Sequence, residues 1–229
     1  MKKLIFFFLL VLSIKTQAQE CAGMNLKSGT GYEVLSYNAK GKPNGRLVYK
    51  FKDVRKEAGA TVVEIGMQSF DEKDKGGTEM LIKYVCNGNE IIADLSGMTQ
   101  MANQNMRDME LRMKTNAIIY PHNLSPGLKL PDGKLEADMY SKETKMMEIS
   151  MSFVNRQVEG KESLTVPAGT YTAYKVNSDM NMDNRAMGIP IRSNMKVVSY
   201  RSNDVLFDLK SETYRNGKLI GYTVLNKIL

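Results

Sequence analysis

The sequence predicts an all-β protein: a strongly curved antiparallel sheet or half-open barrel of about a dozen strands, with one short helix against its concave face. Three observations lead there. Apolar and polar residues alternate through most of the chain, turn clusters of a few residues separate the alternating runs, and one stretch alone shifts to helical spacing. The chain of 229 residues is 42% hydrophobic and 25% charged, with 18 Gly and 6 Pro. That composition is globular rather than disordered or collagen-like.

Residues 1–18 read as a secretory signal peptide. Lys2 and Lys3 form a positive start, Leu4 to Leu12 an unbroken apolar run, and Thr16-Gln17-Ala18 a small-x-small cleavage site. A membrane span needs about 20 apolar residues, so this run is too short for a retained anchor. The residues before Cys21 are Ala18-Gln19-Glu20, whose Gln and Glu do not suit a lipid-attachment signal. The expectation is a soluble protein, periplasmic or secreted, cleaved near Ala18, with 19–229 as a single β domain and no membrane span in the mature chain. Cleavage there removes three lysines and lowers the formal charge from +7 to +4. The remaining basic residues are scattered rather than gathered in a stripe, so no nucleic-acid partner is expected.

Two cysteines in an exported chain are most simply one disulfide, Cys21 to Cys86. It would tie the N-terminus to the body of the fold. Neither cysteine has a Cys-x-x-Cys partner or a nearby His, which argues against a reactive or metal-binding pair.

The first third reads as a meander. Leu47, Tyr49 and Phe51 share one parity, as do Val63, Ile65 and Met67, then Met80, Ile82, Tyr84 and Cys86, then Ile91, Ala93 and Leu95. Between them stand Lys40 to Gly45, Lys73 to Gly77, and Asn87-Gly88, gaps short enough for hairpins but not for parallel crossovers. Met98, Met101, Ala102 and Met106 then fall at helical spacing, so a short helix is expected over 96–106 as a plug for the concave side. Strand alternation returns with Met109, Leu111 and Met113. Residues 120–133 form a Pro/Gly-rich connection between two halves. Beyond it, Met147, Ile149, Met151 and Phe153 share one face of a long strand. Further strands are expected over 170–178, 191–200, 205–214 and 218–228, with Asn216-Gly217 the strongest hairpin signal.

The run Val166-Pro167-Ala168-Gly169-Thr170-Tyr171, followed by Ala173-Tyr174-Lys175-Val176, resembles a signature of the TapB-like family of exported bacterial proteins, related to a larger domain family of unknown function. Gly31-Tyr32-Glu33-Val34, Tyr37 to Lys42, Leu130 to Gly133, and Asn216 to Leu225 are similar to it in the same order. The resemblance implies a curved antiparallel sheet like the half-barrels of the lipoprotein carriers LolA and LolB, and implies no activity. One departure stands out. Where the family tends to carry a Trp-Tyr segment and a Gly-rich turn, this chain has Ser199-Tyr200-Arg201-Ser202-Asn203-Asp204-Val205.

Catalytic chemistry finds little support. His122 is the only histidine, without a nucleophile elbow or neighbouring Cys. Zinc, phosphate-loop and dinucleotide motifs are missing, so neither a cofactor nor a metal is expected and the chain does not read as an enzyme. Methionine is the anomaly, with 17 residues. A core of adaptable side chains is one explanation; a plastic apolar binding surface and Cu(I)-binding thioethers are the others. The candidate binding residues are Met109, Leu111, Met113, Met147, Ile149 and Met151, lining a concave surface for a hydrophobic small molecule, lipid or peptide. The alternative is a structural module of the envelope that meets a protein partner through a strand edge or its surface.

Overall fold

A computed structural model describes residues 19–21, 23–88, 90–94, 109–121 and 123–229. The expected signal peptide, the expected helix over 96–106 and His122 lie outside the described residues. The N-terminal β1 (Gln19–Cys21) and β2 (Met24–Leu26) form a small two-stranded sheet. The first half of the main sheet comprises β3 (Gly31–Asn38), β4 (Pro43–Glu57), β5 (Ala60–Phe70), β6 (Met80–Asn87), β7 (Glu90–Asp94) and β8 (Met109–Pro121). The second half comprises β9 (Gly133–Ser141), β10 (Thr144–Val166), β11 (Gly169–Ala186), β12 (Ile189–Arg201), β13 (Lys210–Arg215) and β14 (Lys218–Ile228). Each pairs antiparallel with its sequence neighbours, and β14 returns to β3. The result is a closed twelve-stranded meander, in which the curvature expected from the sequence runs to full closure. Strands from both sides of the 120–133 connection belong to this one barrel.

Local chemistry sets the turns. Arg215 pairs with Lys218 across Asn216-Gly217, whose φ values of 50° and 73° suit the tight mirror-image hairpin turn. Ala58-Gly59 and Met187-Gly188 turn the same way, with an unusual side chain at the first position. Bulges re-aim side chains, and one matters here. Between Met113 and Thr115 the register of β8 slips, so that Asn116, Ile118 and Tyr120 share a face with Met113, Leu111 and Met109.

One expected strand begins late. The alternation from Val205 suggested a strand over 205–214, but β13 starts at Lys210. Residues 202–209 instead fold into the barrel, burying Val205, Leu206 and Leu209. Their apolar character fills the core rather than one face of a sheet.

The main core spans Tyr32, Val34, Phe51, Val63, Ile65, Ile82, Ile91 and Leu225, joined by Met24 and Leu26 of the N-terminal hairpin. The Cys21–Cys86 disulfide fastens that hairpin to β6, with Cα atoms 5.3 Å apart and both residues buried. Closing a loop of 65 residues contributes about 4 kcal/mol in the chain-entropy model. A second cluster seats Leu124 and Leu130 of the connection on Val158 and Val176.

Candidate ligand-binding site

Directly opposed residues in antiparallel strands place their side chains on one face of the sheet. Val34, which borders an interior cavity, opposes Leu225. Two residues back on β14, Thr223 opposes Ser211, Ser211 opposes Ser199, and Ser199 opposes Val176. Val176 shares its parity with Met180 and Met182. Met182 opposes Met151, whose row also holds Ile149 and Met147, and Met147 opposes Met139. Met139 opposes Leu111, and Met113 opposes Ala137. All six residues expected from the sequence therefore stand on the inner wall.

Further thioethers join them. Met139 faces Met147, Met151 faces Met182, and Met180 faces Met195 across adjacent strands. Every one of these, with Met109 and Met113, is half-buried, whereas Ala137 beneath them is 2% exposed. Eight strands suffice for side chains to fill a barrel, and twelve leave room. The outer face carries ion pairs. Lys114 reaches Asp138 at 2.8 Å, Lys83 reaches Asp94 at 2.9 Å, and Arg55 contacts both Asp53 and Glu64 at 2.8 Å. A barrel embedded in lipid carries an unbroken apolar band outside; here these ion pairs stand among the outward residues, beside an apolar row of Val62, Val85, Ile92 and Ile119. Among the described residues, no helix is long and apolar enough to cross a membrane.

At the other end of the interior lies a chamber of about 260 Å³ that the sequence did not announce. The inserted 202–209 segment builds one side with Leu206, Phe207 and Asp208. The Phe207 ring stacks on Tyr49 at 4.1 Å and meets Tyr32 and Tyr84 edge-on at 5.6 and 5.7 Å. Arg201 Nη1 bonds Asp208 Oδ1 at 2.8 Å, Arg201 Nη2 donates to the Leu206 carbonyl, and Ser199 Oγ donates to Asp208 Oδ2 at 2.7 Å. The Arg201 and Arg156 guanidiniums both lie over the Tyr120 ring, 3.9 and 4.6 Å from its centroid. Arg156 is 3% exposed and spends Nη1 on the Ile119 and Pro131 carbonyls.

Burial governs the electrostatics. The Tyr49 phenol is pushed from its ordinary 10.0 up to about 12, first by burial and then by the Asp208 charge. Burial also raises the Tyr84 phenol and lowers the Arg156 guanidinium. Among the described residues, no group of His, Cys, Asp and Glu is arranged to hold a metal ion.

The signal for the chamber was present but ambiguous. Ile191, Ser193, Met195, Val197, Ser199 and Arg201 form the inward row of β12, so an arginine ends an otherwise inward-facing row. The following apolar run resembled the start of another strand.

The model of the DUF3108-like family matches residues 27–225, nearly the whole barrel. The chain belongs to the DUF3108-like family. Two solved structures share its fold. One is a candidate exported protein with a YmcC-like fold from Bacteroides fragilis, at 21% identity and a TM-score of 0.66, covering 89% of this chain and 96% of that one. The other is a candidate lipoprotein from Parabacteroides distasonis, at 21% identity and a TM-score of 0.68, with the same coverage. At such identity the likeness describes the fold alone. No curated protein matches this DUF3108-like chain.

Proposed function

We propose that this DUF3108-like protein is an exported, non-enzymatic binding protein that holds a hydrophobic ligand against its methionine-rich inner wall. One observation carries the reading: a contiguous strip of half-buried thioether and aliphatic side chains faces inward in a barrel of twelve strands, more than the eight whose side chains suffice to fill the interior. Thioethers adapt to many ligand shapes, and an apolar concavity is the usual setting for small-molecule binding. The positive, then apolar, N-terminal pattern ending at Ala18 supports export, as do the motifs shared with TapB-like exported proteins. The half-barrel of the LolA and LolB carriers, which the sequence resemblance implied, serves only as an analogy of form.

The test uses N-phenyl-1-naphthylamine, an uncharged fluorescent probe, with the full protein carrying [methyl-13C]methionine. Binding should shift the methyl signals of Met113, Met147 and Met151 and leave the 73% exposed Met187 in place. A spectrum in which no inner-wall methyl moves rejects the reading.

A second reading, Cu(I) binding, draws on the directly opposed methionine pairs of β9 to β12, since soft thioethers suit that ion. Titration with Cu(I) against a competing chelator decides it, and affinity no tighter than micromolar eliminates it.

A further inference from the structure

We propose that the ligand is a single-chain amphiphile with a carboxylate head, and that the chamber beside Arg201 receives the head while the methionine wall receives the chain. The proposal rests on the hydrophobic-ligand reading above and adds the chemical class of the ligand and the place of its polar end.

The first argument is an excess of donors. Tyr49, Tyr84 and Tyr120 border the chamber, and none of their hydroxyls is hydrogen-bonded to a described residue. A phenol is protonated at neutral pH and is a donor seeking an acceptor. Ser211 and Thr223 add two hydroxyls to the same lining. An ionised carboxylate accepts at both oxygens and donates nothing, which makes it the complement of this wall.

Charge gives the second argument. Arg156 and Arg201 are 3% and 8% exposed, and among the described residues Asp208 is the one carboxylate ion-paired with either of them, through Arg201. Asp132, the further acid that acts on Arg156, lies on the exposed connection. Among the described residues this buried set holds two guanidiniums and one carboxylate, and buried charge is costly unless it is paired. Asp208 is already committed to Arg201 and Ser199, and each terminal nitrogen of Arg201 keeps a second hydrogen for an anion.

Length gives the third. From Arg201 the inward row of β12 passes Ser199 and Val197 before reaching Met195. Six residues of strand span about 20 Å. Acyl chains of one bilayer leaflet occupy about 15 Å. An extended chain of that length anchored at Arg201 covers most of this row, passing Ser199 and Val197 and ending near Met195, where Met180 and Met195 face one another. Along this row polar residues stand at the chamber end and a thioether at the far end, the polarity sequence of an amphiphile.

The experiment compares dodecanoate with 1-dodecanol, below micelle-forming concentrations at pH 8, by displacement of N-phenyl-1-naphthylamine from the full protein. Dodecanoate should bind at least tenfold more tightly. Y49F/Y84F keeps both rings in place and should cut dodecanoate affinity about tenfold, with near-UV circular dichroism reporting an intact fold. R201M/D208L, which removes the ion pair together, should erase the preference for the acid. M180D should weaken both ligands alike. Equal affinity for acid and alcohol, or a preference that survives both chamber variants, overturns the head-group assignment while the inner-wall reading stands. Failure of the naphthylamine probe and of both dodecyl ligands to bind overturns the two together.

Discussion

Arg201 and Asp208, seven residues apart in sequence, meet inside the barrel with Nη1 2.8 Å from Oδ1. The arginine closes strand β12 and the aspartate sits on the segment folded in behind it. Their contact therefore fixes how that segment turns. Removing one partner leaves a charge stranded in a low-dielectric space, whereas removing both does not. R201M alone should cost about 3 kcal/mol of folding stability, and R201M/D208L should recover most of it. Urea denaturation of the single and double variants measures the difference.

The disulfide makes a separate prediction. Cys21 and Cys86 hold a hairpin of only six paired residues against β6. C21S/C86S should lose about 4 kcal/mol, chiefly by releasing the unfolded chain. Denaturation of the oxidised protein and the variant checks it. A midpoint unchanged by the double substitution would show that the hairpin's own packing, through Met24 and Leu26, is enough.

Two glycines should respond in opposite measure. A Cβ on Gly31 would lie 2.0 Å from the Tyr49 carbonyl oxygen, backbone that cannot step aside. Gly31 also exchanges hydrogen bonds with Leu229 at the seam that closes the barrel. G31A should cost more than about 3 kcal/mol, or prevent folding, by strain of this kind. Gly59 has φ of +86° and open space around it, so G59A should cost only about 1 kcal/mol. Thermal melts rank the pair.

Alkaline pH should weaken the fold through Tyr49. Its folded pKa, about 12, lies above the ordinary 10.0. Below pH 10 both states keep the proton and the phenol's contribution is fully present. Between pH 10 and about 12 the unfolded state loses its proton first, so stability falls as pH rises through that window. Y49F should flatten the decline, read from denaturation midpoints at pH 8, 10 and 11. Tyr84, shifted in the same direction by burial, steepens it in the wild-type protein.

The β11–β12 hairpin tip supplies a control. Met187, Ile189 and Ile191 are 73%, 65% and 52% exposed. I189S should change stability by less than about 0.5 kcal/mol, as surface substitutions usually do. Chemical denaturation tests it, and a larger loss would indicate that the tip is packed in solution.

Much of the fold was legible from residue types. Leu47, Tyr49 and Phe51 alternate because one face of β4 is buried, and Asn216-Gly217 turns because both positions favour positive φ. Ala58-Gly59 and Met187-Gly188 were less legible, since alanine and methionine seldom occupy that conformation and the surrounding pairing holds them there. The inner-wall candidates were found because parity alone marks a face. Met113 and Tyr120 were harder to place together, because the slip in β8 that aligns an odd with an even position is a property of the pairing. Val205 misled for a related reason: an apolar run in a fold rich in strands looks like a strand until something else occupies that place.

The chain by itself determined the alternation, the hairpin connectivity, the cysteine pairing and the abundance of thioethers, since each follows from local stereochemistry or composition. Tertiary structure alone decided that β14 meets β3, that residues 202–209 turn inward, and that Arg201, Asp208 and three tyrosines converge on one chamber. Those outcomes depend on contacts between distant positions, where closure, register slips and the burial of charge are settled by the whole barrel at once.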